Sequence, residues 1–551
     1  MNKQKTCAAV NAAVLTVVSL LAGCSGSGSQ TPPAASPETG KAGAAVEVGG
    51  KPLEFTFYGH YDWYTMPPWG EDAASKWIKE NKKVTVTAVN SGGAAKQKLN
   101  TMIASNELPD VIWADRGAEV EKLREAGMLV AFDDYLAKYP NLKKWMGEEG
   151  LNMLRSPDGK IYQFPNWYTN QPNGNAGYIV NKKIYKELGS PKLETTDDLY
   201  VYLKAVKEKY PNVIPFETHL AKDGQGLNAL YTAFGENHLY DYPGLAVRGV
   251  PRGDKLTSIF ADPVFRESTQ YASKLFREKL MTQDAMTQTL DQITEKIMNG
   301  NVAVFAGSSP TDIGLKAHTA LKAKDPEAGY FMIWPIHKPG LDKNKIFPGT
   351  YTQLGWNVSL ITKAAKDPEA IFAFLDWYTG PEGQRIQMWG PPGTYWDGVE
   401  ADGITPKFTE KYATDVAGLT KLQGVTTNLM WNGNTVYIDS TKAKYENTLP
   451  EEKRNWATRW QSEIAWKTQA NATEFINLRP SPDSPEGILD QTISDLFLEV
   501  RAKALFAKSD EEVTAILDKA EKDAMAAGYQ KLLDYRTQKW QDNLKKMKGG
   551  K

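Results

Sequence analysis

Between residues 53 and 114 the chain changes its hydrophobic period four times, and that order narrows the fold more than any other feature. Leu53, Phe55 and Phe57 alternate with Glu54 and Thr56, the period of a half-buried strand. Ala73, Ala74, Trp77 and Ile78 follow at helical spacing, then Val84, Val86 and Ala88 alternate with threonines. Leu99, Met102 and Ile103 mark a second helix, and DVIWA (Asp110 to Ala114) a short apolar strand. This β-α-β-α-β order predicts a parallel sheet with helices on its faces. Ligands of such sheets bind outside the carboxyl ends of the strands. The segment FTFYGHYDWYTMPPWG (Phe55 to Gly70) runs off the first strand at that edge. It places seven aromatic rings in the fifteen residues ending at Trp69, on a loop broken by two prolines. Rings there are expected to be displayed rather than buried.

Similar alternation recurs at GYIV (Gly177 to Val180), VAVFA (Val302 to Ala306) and WNVSLI (Trp356 to Ile361). Helices are expected over Asp197–Tyr210 and Pro368–Tyr378, and the C-terminal stretch reads as helical. There Ser509 and Glu512 form a capping-box pattern, and the Lys-rich end (Lys539 to Lys551) reads as a solvated helix end. At 551 residues, more than one lobe is expected.

The first residues carry a separate instruction. Lys3 and Lys5 precede an apolar run from Ala8 to Leu20, and Leu21-Ala22-Gly23-Cys24 follows. This is the layout of a secretory signal, interrupted by Asn11 and too short for a membrane span. LAGC resembles a bacterial lipobox, which implies cleavage before Cys24 and diacylation of its thiol, a two-chain anchor. Residues 25–50 contain almost no large apolar side chain and read as a flexible tether. Of the two cysteines, Cys7 leaves with the signal and Cys24 takes lipid, so no thiol remains for a disulfide or a metal.

Formal net charge is −1, which gives no footprint for nucleic acid. No nucleophile elbow, phosphate-cradling loop, dinucleotide fingerprint or H-E-x-x-H motif is present. The five histidines are scattered, and no segment singles out a pair of carboxylates. What recurs is an aromatic beside a polar or small residue in Gly/Pro/Asn-rich loops: DWYTMPPW, IWADR, FPNWYTNQPNGN, WPIHKPG, LGWN, MWGPPGTYWDG and MWNGN. A flat ring covers the C–H face of a sugar at low entropy cost, and neighbouring Asp, Asn, Arg or His can bond its hydroxyls. Trp63, Trp69, Trp167 and Tyr168 favour such a site, as does Trp356 of LGWN. Trp113 ends an apolar strand, but the following Asp115 and Arg116 tilt it toward the site, while Trp396 fits a site or a core equally. His60 and Arg116 would tolerate an acidic sugar without requiring one. Trp77, Trp145, Trp377 and Trp540 lie in helical patterns and read as core.

LAGC, FTFYGHYDWY, KVTVTAVNSGGAAKQKLNTMIASNELPDVIWADR, DGKIYQFPNWYTNQPNGNAGYIVNKKIYKELG, GNVAVFAG and WNVSLITKAAKDPEAIFAFLDWYTGPEGQRIQMWG follow one another in order. Together they resemble the family 1 extracellular solute-binding proteins of ABC transporters, in the large lipoprotein branch of Gram-positive bacteria. The resemblance implies an α/β two-lobed flytrap, like the periplasmic binding proteins, with several hinge crossings, extra C-terminal helices and sugar held between the lobes. It implies crossings near Pro165–Gly177, Val302–Gly307 and Trp356–Ile361. The expected division is residues 1–23 signal, 24–50 tether, 51–166 first lobe with 304–356, and 167–303 second lobe with 357–545. It also carries sugar contact over to Trp113, Asp115 and Arg116, and to Asp62 and Trp63. Relatives of this branch place an acidic calcium loop where this chain reads KEKYPNVIPFETH, without the oxygen ladder calcium needs, so no metal is expected there. The expectation is a monomer without cofactor, anchored at the extracellular face of the cytoplasmic membrane, that delivers an oligosaccharide to permease subunits. The alternatives are a secreted carbohydrate-active enzyme, or the same fold holding a peptide or other polar solute.

Overall fold

Side-chain alternation along the first strands decides the architecture. In a computed structural model, residues 45–549 are described apart from 220–224, 245–246, 285, 427 and 430–431. The expected signal segment, Cys24 and Trp431 of MWNGN lie outside the described residues. Phe55, Phe57, Val111 and Trp113 point to one face of the first sheet, against Ala74, Ile78, Phe372 and Phe374 of two helices. Tyr58, Ile112 and Ala114 point to the other, against Leu99 and Met102. Each strand therefore separates two helical layers.

This sheet has the order Val84–Val89, Leu53–Gly59, Val111–Asp115, Asn357–Ile361, Phe164–Asn166. The first three strands are parallel, as the sequence predicts. Asn357–Ile361 is antiparallel to both of its neighbours, so the sheet is mixed. A second sheet runs Tyr330–Ile333, Ala176–Asn181, Val302–Ser308, Ile214–Thr218. The expected helices form over Pro368–Thr379 and Thr196–Lys209, the latter behind a Thr195/Asp198 capping box.

Sheet membership corrects the expected division of the later chain. Val302–Ser308 and Tyr330–Ile333 belong to the second sheet, so 304–333 does not join the first lobe, whereas Leu354 and Trp356 pack on it. Asn357–Ile361 completes the first sheet, and Pro368–Thr379 covers it, so 357–445 does not join the second. The crossings lie between Asn166 and Ala176, between Ile333 and Asn357, and between the helices Thr435–Glu446 and Trp456–Glu463. A segment of apolar alternation pairs with whichever edge is open, which short-range periodicity does not encode.

Three C-terminal helices, Pro485–Leu505, Asp510–Ala527 and Tyr529–Met547, close over a separate core around Phe260 and Phe265. The capping box at Ser509 is half formed. Ser509 accepts the Glu512 N–H, but the Glu512 carboxylate takes the Lys508 N–H instead. The last helix is not simply solvated. Lys546 donates to the Arg155 carbonyl at 3.3 Å, and Met547 packs on the first core. Nor does the tether reach residue 50, because the Val46 N–H is bonded to the Tyr139 hydroxyl at 2.8 Å and Val48 packs on the first core. Among the described residues no helix is long and apolar enough to cross a membrane.

Candidate functional site

At the carboxyl end of Leu53–Gly59 the chain turns back through Tyr61, Trp63 and Tyr64. Gly59 makes this possible, since a Cβ there would meet Tyr64 Cδ1 at 2.2 Å. The Tyr64 ring lies over the strand end instead, 4.9 Å from Trp113 between centroids. Trp113 is almost fully buried beneath Tyr61 at 4.7 Å and Trp356 at 5.5 Å. On this floor stand two rings that face solvent: Trp63 is 63% exposed and Trp356 46%. Their planes are 26° apart with centroids 6.4 Å apart, forming one continuous aromatic wall.

Polar side chains fix this wall. Tyr61 donates its hydroxyl to exposed Asp115 at 2.7 Å. Burial first, and then Asp115, pushes the Tyr61 hydroxyl far above its ordinary range, so it remains a donor. Asp62 accepts the Ala95 N–H at 2.7 Å, at the first turn of the helix Ala95–Ser105. Arg116 donates to the carbonyls of Leu354 at 2.9 Å and Gly355 at 2.6 Å, fastening the loop that carries Trp356. Burial pulls the Arg116 guanidinium down to about 10, against Asp115, so it stays charged at neutral pH. His60 is lowered from 6.5, chiefly by burial, with Glu119, Asp115 and Asp62 opposing. Trp167 starts the first crossing in a left-handed conformation, φ 55°, and its backbone abuts Gly355. Non-glycine residues held there mark strained, over-determined positions.

His60, Asp62, Trp63, Trp113, Asp115, Arg116 and Trp356 thus come together at one sheet edge, with the Trp167 backbone beside them. Three expected residues do not join them. Trp69 donates its indole N–H to Val84, the first residue of its strand, which puts it at the opposite end of the sheet. Tyr168 is fully buried, its hydroxyl 2.8 Å from Thr379. Trp396 is buried, bonded to Gly390 and covered by the Arg385 guanidinium. In each case the Pro/Gly-rich loop folds back on its own core.

The sequence reading overlooked Tyr61 and Tyr64, and also a polar cluster at one end of the second sheet. There Asn175 bonds Thr311 at 2.9 Å and Asp312 at 3.2 Å, and Gln461 reaches Thr311 at 3.3 Å. Asp312 is open to solvent, yet burial raises its carboxyl, with Lys442 and Lys316 opposing. Trp460 and Trp466 are half-buried, and their indole N–H groups have no acceptor among the described residues. The signal was present in TRWQSEIAWK, two indoles among polar residues, but it lies in a helical stretch rather than in a Gly/Pro loop.

Residues 62–385, more than half of the chain, match the model of the bacterial extracellular solute-binding proteins. The chain belongs to that family. This solute-binding protein is 24% identical over 425 residues to the polygalacturonan/rhamnogalacturonan-binding protein YtcQ of Bacillus subtilis, covering 74% of this chain and 78% of that one. It is 34% identical over 157 residues to the fructooligosaccharide ABC transporter substrate-binding protein FusA of Streptococcus pneumoniae, 25% of this chain and 29% of that one. The solved structure of FusA in complex with kestose matches at TM-score 0.63 and 18% identity, over 89% of this chain and 99% of that one. An extracellular solute-binding protein from Bifidobacterium longum subsp. infantis matches at TM-score 0.66 and 16% identity, over 89% and 98%. The fold of the solute-binding protein is accordingly the two-lobed α/β one. These curated relatives are named as binding proteins, FusA as that of an ABC transporter, and the family is extracellular.

Proposed function

We propose that this protein, anchored through a diacylated Cys24, captures an oligosaccharide between its lobes and presents it to an ABC permease. The observation that carries this reading is the exposed wall of Trp63 and Trp356, backed by buried Trp113 and flanked by Asp62 and Asp115. A pyranose laid on that wall buries its apolar face, while its hydroxyls meet carboxylates already held by neighbours. Asn175, Asp312, Trp460 and Gln461 supply the opposite wall. Both walls are engaged together only when the lobes close, so ligand shifts the population towards the closed state by its differential affinity. The permease reads that closed form.

The carboxylates speak for binding over hydrolysis. Asp62 is engaged with a helix N-terminus and Asp115 with Tyr61, and glycoside cleavage needs two carboxyl groups free to act on a sugar from both sides. Relatives named for pectic and for fructose oligosaccharides define the panel to test. Titration calorimetry against neutral and acidic oligosaccharides is expected to give a micromolar ligand that also quenches tryptophan fluorescence. Binding of peptides alone, or release of reducing ends from a polysaccharide, would overturn the proposal.

A further inference from the structure

Each exposed ring of the aromatic wall has a carboxylate beside it. Asp62 precedes Trp63 in the chain, and Asp115 is the cross-strand partner of Asn357, which follows Trp356. Both acids are exposed. One oxygen of each is committed, that of Asp62 to the Ala95 N–H and that of Asp115 to the Tyr61 hydroxyl. The other oxygen of each has no partner among the described residues. Glu119 brings a third carboxylate near His60, and its buried Oε2 has no donor among the described residues.

The cations that could answer these acids are engaged elsewhere. Arg116 gives Nη1 and Nη2 to the Leu354 and Gly355 carbonyls, and its Nε is buried beyond a ligand's reach. Lys122 bonds Asn100 at 3.2 Å. His60 is chiefly uncharged at neutral pH, because burial lowers it from 6.5. None of the three carboxylates forms an ion pair among the described residues. Counting Arg116 and Lys122 against them still leaves one negative charge in excess. The charged side chains adjoining the two rings are Asp62 and Asp115. An ionised carboxylate accepts hydrogen bonds and donates none. A sugar hydroxyl can donate to it, whereas a second carboxylate cannot and is repelled.

We propose that the ring stacked on Trp63 and Trp356 is a sugar without a carboxylate, and that Asp62 and Asp115 set this preference. They accept hydroxyls and repel uronates, so discrimination comes from repulsion as well as contact. The inference rests on reading the wall as a sugar site. It reverses the tolerance for acidic sugar expected of Arg116 and His60.

Titration calorimetry with matched trisaccharides tests it. The pairs are gluco- and glucurono-, manno- and mannurono-, and galacto- and galacturono-oligomers, with kestose as a further neutral sugar. The acidic member of each pair carries a carboxylate on every ring, so one always meets the wall. At low salt every acidic member is expected to bind at least about tenfold more weakly than the tightest neutral sugar. The gap should narrow in about 1 M sodium chloride, where the screening length is about 3 Å. It should also narrow in the Asp62→Asn/Asp115→Asn double variant, which keeps the shape of both side chains. An acidic member bound as tightly as the best neutral sugar, or a gap of full size in the double variant, would overturn the preference and leave sugar capture standing. Failure of every sugar to bind would overturn sugar capture itself, and this preference with it.

Discussion

Trp63, Trp113 and Trp356 touch one another, yet they should answer mutation in opposite ways. Trp63 and Trp356 are exposed in the unliganded protein, so their truncation removes little folding energy. Burying such a ring against a sugar is worth about 1.5–3 kcal/mol, roughly ten- to a hundredfold in Kd. Trp63→Ala and Trp356→Ala are therefore expected to lose that affinity by calorimetry with Tm almost unchanged. Trp113→Ala leaves a cavity beneath Tyr61, Tyr64 and Trp356 and should cost about 3–5 kcal/mol of stability. His60 supplies a pH dependence. Its folded pKa lies below 6.5 because burial disfavours the imidazolium, so the unfolded chain takes up the proton first as pH falls. Its contribution is full above 6.5 and is lost as pH drops from there through the folded pKa. Urea unfolding should give a plateau above pH 7 and a decline below 6.5, shallower in His60→Gln. Trp63 was legible because it follows a strand on a Pro-broken loop. Tyr168 and Trp396 share that surrounding sequence and are buried, since neighbours in space, not in sequence, decide where a ring points.

At the scale of elements, the first and second crossings meet in a tight joint. Gly355 has φ +64°, and a Cβ on it would stand 1.8 Å from the Asn166 carbonyl oxygen. The backbone of the loop bearing Trp356 thus presses on the strand end before Trp167, while Arg116 holds it from the other side. Gly355→Ala must move one of these segments and adopt a left-handed conformation. A loss of at least about 2 kcal/mol is expected, read as a lower urea midpoint. Arg116→Met frees the loop without a clash and should weaken sugar binding more than it lowers Tm. A second joint is Asp376, whose two oxygens accept the backbone N–H groups of Asn141 and Leu142. The helices and strands were legible almost one by one, because each carries its own period. The joints were not: Gly355 and Asn166 are far apart in the chain, and WNVSLI reads the same whichever sheet receives it.

For the whole molecule, the last helix is placed so that it would limit hinge motion. Tyr529–Met547 begins in the C-terminal core, where Tyr529 and Leu532 are buried. Asn543 then donates to the carbonyls of Glu474 and Ile476 at 2.9 and 2.7 Å. The helix ends with Lys546 on the Arg155 carbonyl and Met547 against the first core. A rod attached at both ends opposes separation of what it joins. Burial lowers the Lys546 ammonium, so part of this tie lies out of water, where removing it leaves the Arg155 carbonyl without its donor. Ending the chain after residue 542 removes Asn543, Lys546 and Met547 but keeps Leu532, Leu533 and Trp540, which fill the core. If capture proceeds by lobe closure, the shortened protein should open wider without ligand and close to the same state with it. Small-angle scattering is then expected to show a larger radius of gyration for the unliganded form only. Affinity should fall by the fraction of molecules moved out of the closing-competent population. An unliganded radius equal to that of the full chain would mean that the crossings alone define the hinge, and that the helix serves only to cover the core beneath it.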